Sequence, residues 1–140
     1  MAYSDYMRLA IRPDVQKSKL IFVQLSIFFF STLEVRAGGP AVMILVFASS
    51  KGGVGKSTTC AALGAALALE GSKVLILDLD QNRTVHRWSR KTTIPGLTVD
   101  ALTASHFTAA LKDKLGAGSF DHILIDLAGA REATLFQAIA

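Results

Sequence analysis

Apolar residues fall in short blocks along this chain, separated by joints rich in glycine and polar residues. Residues 43–48 are apolar almost throughout, and residues 73–79 and 122–127 are rich in Val, Ile and Leu with little alternation. Such runs fit strands buried on both faces of a parallel sheet. Between them the pattern changes period. Residues 57–70 are rich in alanine and leucine and end before Gly71, a helix with a glycine at its C-terminal boundary. Residues 84–91 form a short helix with Val85 and Trp88 on one face. Pro95-Gly96 breaks the chain, and residues 97–101 read as a short strand. Residues 105–115 place Phe107, Leu111 and Leu115 at i, i+4 and i+8 of a third helix. Residues 116–119 are a loop, and a further helix begins at Arg131. Strand and helix in alternation predict an α/β fold, a mostly parallel sheet with helices on both faces.

Residues 1–42 break this pattern. Arg8, Arg12, Lys17 and Lys19 precede an apolar run over residues 20–30. That run is too short for a bilayer, which needs about 20 apolar residues. Basic residues, then apolar ones, then Val35-Arg36-Ala37 also match the order of a secretory signal. Three readings stay open: sequence upstream of a start at Met43, an extra N-terminal element, or a signal or anchor. The first is the expectation, with 1–42 an atypical and dispensable extension and 43–140 the N-terminal part of the domain.

Composition narrows the class. One domain is expected from 140 residues, half of them hydrophobic, which excludes a disordered chain. The net charge of +4 permits an anionic partner without demanding one. Cys60 is the sole cysteine, so no intrachain disulfide forms, as suits a reducing cytoplasm. It lies among alanines and reads as a packed core residue. His86, His106 and His122 lack metal-ligand spacing.

The chemistry is concentrated in Ser50-Lys51-Gly52-Gly53-Val54-Gly55-Lys56-Ser57-Thr58, between the first parallel strand and the first long helix. Strand, glycine loop and helix is the setting of a phosphate-binding loop. Glycines let backbone N–H groups converge on phosphate oxygens, and the helix N-terminus adds unpaired donors and partial positive charge. Lys56 can reach the β- and γ-phosphates, and the Ser57 hydroxyl can ligate Mg²⁺. The bland reading is a glycine-rich turn with two surface lysines. Ser50 stands where the plain motif has glycine, and Lys51 beside it is an additional lysine.

With that lysine the loop resembles the deviant Walker-A motif of the ParA/MinD family of P-loop ATPases. The resemblance covers residues 43–140. It implies a P-loop NTPase fold, ATP bound by Lys51, Gly52, Gly53, Val54, Gly55, Lys56, Ser57 and Thr58, and a homodimer formed with ATP. In that dimer Lys51 reaches the partner's nucleotide. Leu77-Asp78-Leu79-Asp80-Gln81 is similar to the family's Asp-x-Asp-Pro-Gln segment, although the proline is absent and Gln81-Asn82-Arg83 follows Asp80 instead. By this resemblance Asp80 is a catalytic residue tied to the attacking water. Alone, a strand-end Asp pair is equally turn chemistry, and both carboxylates can share the face toward the crevice. Ile123-Leu124-Ile125-Asp126 ends as a Walker-B strand does, so Asp126 joins Ser57 at Mg²⁺. Leu127-Ala128-Gly129 replaces the family's Asp-x-Pro-Pro continuation, and Gly129 suits a switch loop or a plain turn. Arg87-Trp88 is similar to partition ATPases and VirC-type proteins acting on DNA.

The resemblance further implies nonspecific DNA binding by the longer protein, a centromere-binding partner protein, a cytoplasmic location and no membrane. The basic residues Arg83, Arg87, Arg90 and Lys91 around the short helix are a solvated face or a DNA contact. The expected function is an ATP-hydrolysing partition switch. The alternatives are a MinD-type membrane-cycling regulator and an inactive truncated ATPase. An iron-protein-type ATPase would need cluster-ligating cysteines, for which Cys60 is poorly placed. Family members run about twice as far, so the sheet is expected to be incomplete at its C-terminal side. Val74, Ile76, Ile123 and Ile125 are then expected to lack part of their packing.

Overall fold

The computed structural model describes residues 20–25, 28–35, 41–49 and 52–128. Gly129 and the helix expected from Arg131 lie outside them. Among the described residues six strands form one sheet: β1 (Leu20–Leu25), β2 (Phe28–Val35), β3 (Val42–Ala48), β4 (Val74–Asp78), β5 (Leu97–Ala101) and β6 (His122–Asp126). Among the described residues three helices accompany them: α1 (Lys56–Leu69), α2 (Thr84–Ser89) and α3 (Ala104–Ala117). The sheet order is β1-β2-β3-β6-β4-β5. β3, β6, β4 and β5 are parallel, and β1 and β2 are added antiparallel at the β3 edge.

Alternate strand residues face opposite sides, and each side has its own cover. Ile44, Val46, Leu75, Leu77, Ile123 and Ile125 cluster with Phe107 and Leu111 of α3. Leu45, Phe47, Val74, Ile76 and Leu124 cluster with Cys60 and Ala68 of α1 and Val85 of α2. Burial on both faces explains why these strands read as unbroken apolar runs. Val74, Ile76, Ile123 and Ile125 are fully buried, so the expectation that they lack packing is corrected. Helix α1 lies tight on the sheet at Gly64, where a Cβ would sit 2.7 Å from Ile76 Cδ1.

The apolar run of residues 20–30 is divided between two strands. β2 pairs with β3 from Phe29 opposite Ala48 to Val35 opposite Val42. β2 thus occupies the hydrogen-bonding edge of β3. Period-two and continuous apolar patterns read alike in so short a run, and the hairpin was not legible in it. Among the described residues no helix is long and apolar enough to cross a membrane.

The parallel register fixes the site. Phe47, Asp126, Asp78 and Ala101 lie in one row across β3, β6, β4 and β5, at the carboxyl ends of the strands. Loops leaving those ends gather on one edge of the sheet, where open α/β sheets bind their ligands.

Candidate functional site

The loop after β3 leads directly into α1. Gly53 and Gly55 adopt φ of 72° and 85°, a region L side chains rarely enter. A Cβ at either glycine, or at Gly52, would meet nothing within 4 Å. The two positive-φ glycines are thus demanded by backbone shape, and Gly52 by neither shape nor crowding from this chain. Gly55 is the residue before α1; no side chain caps the helix and its first turn holds no acid. Its leading N–H donors and their partial positive charge are left for a ligand. The Thr59 hydroxyl donates to the Gly55 carbonyl at 2.9 Å and fixes the turn.

Lys56 does not point freely into solvent. Its Nζ lies 3.2 Å from Asp126 Oδ1, in a pair almost wholly out of water. Burial pushes the Asp126 carboxyl above its ordinary range, while the Ser57 hydroxyl and Lys56 ammonium oppose that rise. Asp126 Oδ2 is buried with no hydrogen-bond partner. An orphaned carboxylate oxygen under a phosphate-shaped loop is a fitting cation ligand. Among the described residues no three His, Cys, Asp or Glu side chains gather as a metal set.

The two β4 carboxylates part company. Asp78 is fully buried; its Oδ1 accepts the Asp80 N–H at 3.0 Å and its Oδ2 the His86 N–H at 2.9 Å. It ties the start of α2 to the strand end and does not line the cavity. Asp80 does line it, and its Oδ1 accepts the Asn82 N–H at 2.8 Å. The expectation that both face the crevice is met by Asp80 alone. Arg83 closes the turn in a left-handed conformation at φ 48°, its N–H bonded to the Asp80 carbonyl.

These parts enclose a cavity of about 540 Å³, within the range of small-molecule sites. Gly52, Gly53, Val54, Gly55, Lys56, Ser57 and Thr58 line one side, and Asp80, Gln81, Asn82 and Thr84 the other. Asp126 is fully buried and does not itself line the cavity; it meets it through Lys56, which does. Lys51 lies outside the described residues. Ser49, Asn82, Thr84 and Ala128 also line the cavity; none carries chemistry specific enough to be picked from sequence, and only the strand register brings them together. Cys60, beneath the loop, has its thiol pushed up by burial and by Asp126 and Asp78, so it is a packed side chain and not a nucleophile.

The CobQ/CobB/MinD/ParA nucleotide binding domain matches residues 45–130. The chain is 34% identical over 99 residues to Protein ParA of Rhizobium radiobacter, covering 69% of this chain and 44% of that one. It is 47% identical over 47 residues to Protein virC1 of the same organism, covering 34% and 20%. Against the septum site-determining protein MinD of Synechocystis sp. it is 62% identical over 37 residues, covering 26% and 14%. The chain spans less than half the length of these relatives. A glycine loop with an uncapped helix, a buried Lys–Asp pair and a match over most of the parallel sheet lead to one conclusion: the chain belongs to the CobQ/CobB/MinD/ParA nucleotide-binding family.

Proposed function

We propose that this chain carries the phosphate- and metal-binding part of an ATP-hydrolysing switch of the partition type. The observation that carries the reading is the buried Lys56–Asp126 pair with its unpartnered Oδ2, directly beneath the glycine loop. Gly53, Gly55 and the α1 N-terminus hold the α- and β-phosphates through backbone N–H groups. Lys56 exchanges one Asp126 oxygen for the β- and γ-phosphate oxygens. Ser57 and Asp126 would hold Mg²⁺, which when bound shields phosphate charge during hydrolysis. Asp80, on the opposite wall, orients the attacking water. Lys51 acts across a homodimer on the partner's nucleotide. Hydrolysis resets the dimer, which in the longer protein works on nonspecifically bound DNA with a centromere-binding partner protein in the cytoplasm. The MinD-type membrane cycle is the second reading, supported by the MinD relative.

Titration of ATP and ADP, each with and without Mg²⁺, against the wild type and Lys56→Ala tests this. The expected result is weaker binding in the variant, more so for ATP than for ADP. Equal affinities in the two proteins would overturn the assignment.

A further inference from the structure

The charges along and around α2 form a second surface beside the nucleotide cavity. Arg83, Arg87, Arg90 and Lys91 are exposed, and none forms an ion pair among the described residues. No Asp or Glu occurs anywhere from Gln81 to Val99. Helix α1, packed against α2, also carries no acidic residue. The nearest acid on β5, Asp100, is taken by Lys114 at 3.4 Å. A surface helix usually mixes signs to lower self-repulsion; this one leaves four cations uncompensated.

These residues also shape a hollow. Thr84, Arg87, Trp88, Arg90 and Lys91 line a groove of about 590 Å³. Trp88 is partly buried, with its inner side in the apolar cluster under α1. Thr84 lines this groove and the nucleotide cavity alike. From these observations we infer that the α2 groove binds the backbone of a nucleic acid, with Arg83, Arg87, Arg90 and Lys91 on phosphates and Trp88 against a base or sugar. This rests on the DNA-linked reading above and assigns it a surface.

The geometry favours nucleic acid over an acidic protein or a lipid surface. Arg87 lies on α2, with Arg83 at its N-terminal cap, Arg90 at its C-terminal cap and Lys91 just beyond, so four cations gather within nine residues of chain. A regularly charged polymer can engage such a cluster. A tryptophan set among the cations offers the flat apolar contact that nucleic acids use and inorganic anions do not. A membrane-binding helix would need an exposed apolar face, and Val85 of α2 is buried in the core.

Trp88 is the only tryptophan in the chain, so its fluorescence reports this groove and no other. The test titrates the full chain with single- and double-stranded oligonucleotides, following Trp88 emission and the anisotropy of a fluorescein-labelled oligonucleotide. The wild type is expected to bind with a change in Trp88 emission. Arg87→Glu/Arg90→Glu is expected to lose at least about tenfold in affinity, and its log K against log salt slope to flatten by about 2. Arg87→Lys/Arg90→Lys should retain most of the binding. Both pairs are exposed, and unchanged binding of a fluorescent ATP analogue controls for folding and for the nucleotide site. Oligonucleotide binding unaltered by the Glu variant, or without change at Trp88, would overturn the groove and leave the DNA reading standing. No oligonucleotide binding by the wild type, or a preference for phosphatidylglycerol vesicles, would likewise overturn the groove.

Discussion

Lys56 stands 3.2 Å from Asp126 in a nearly dry pair, so its removal does two things at once. It takes the cation from the phosphate site and leaves Asp126 buried without its counter-ion. Breaking a buried pair costs about 3–5 kcal/mol when the remaining charge cannot escape. Asp126 can escape by taking up a proton, because burial already raises its carboxyl and losing Lys56 raises it further. With a raised folded pKa, the folded chain binds more protons than the unfolded one between the ordinary carboxylate range and the raised value. Stability then falls as pH rises through that interval. Lys56→Ala is therefore expected to be destabilised by about 3 kcal/mol at neutral pH, with the deficit against wild type shrinking as pH is lowered toward the carboxylate range. Thermal unfolding of both proteins across that range checks it; a pH-independent deficit would mean that Asp126 is not left charged. The loop and its lysine were legible because spacing alone defines them. The Lys56–Asp126 contact was not, since it joins residues seventy apart in sequence and depends on β3 and β6 being neighbours.

At the scale of elements, the strands and helices of residues 42–128 were legible because each is apolar at its own period. What sequence did not reveal was the division of labour at the end of β4. Asp78 and Asp80 have the same chemistry and differ only in what the turn offers them. Asp78 receives the N–H groups of Asp80 and His86 and anchors α2, whereas Asp80 faces the cavity. Asp78→Ala is expected to orphan two backbone donors, at about 1–3 kcal/mol for each that stays buried, and to loosen α2. Hydrogen exchange should quicken at Asp80 and His86 while β6 amides stay protected up to the lowered global stability. Asp80→Ala leaves that anchor intact and should not alter exchange in α2. If both variants loosen α2 equally, Asp78 is not its tether.

For the whole molecule, the least legible part was the N-terminal hairpin, and it has a physical consequence for the sheet. Read as sequence, residues 1–42 carry none of the chemistry and look removable. In the sheet, β2 runs along β3 from Val35 to Phe29, and β3 is the strand that delivers the glycine loop. A chain beginning at Met43 would leave that edge with a row of unpaired N–H and C=O groups on an apolar strand, a template for pairing with other copies. Each net hydrogen bond is worth about 1 kcal/mol and a domain is stable by only about 5–15 kcal/mol, so losing the pairing is a large share of the total. Among the described residues, the nucleotide cavity is lined by the segments after β3, β4 and β6 and the starts of α1 and α2. Deleting residues 1–42 is therefore expected to lower Tm and promote association on size-exclusion chromatography, while the fraction still folded binds ATP with affinity near that of the full chain. Equal Tm and a monomeric elution profile would show that β1 and β2 contribute nothing to this sheet and that Met43 can serve as its beginning. A lowered Tm together with lost nucleotide binding would show that the edge of β3 also sets the shape of the loop it carries.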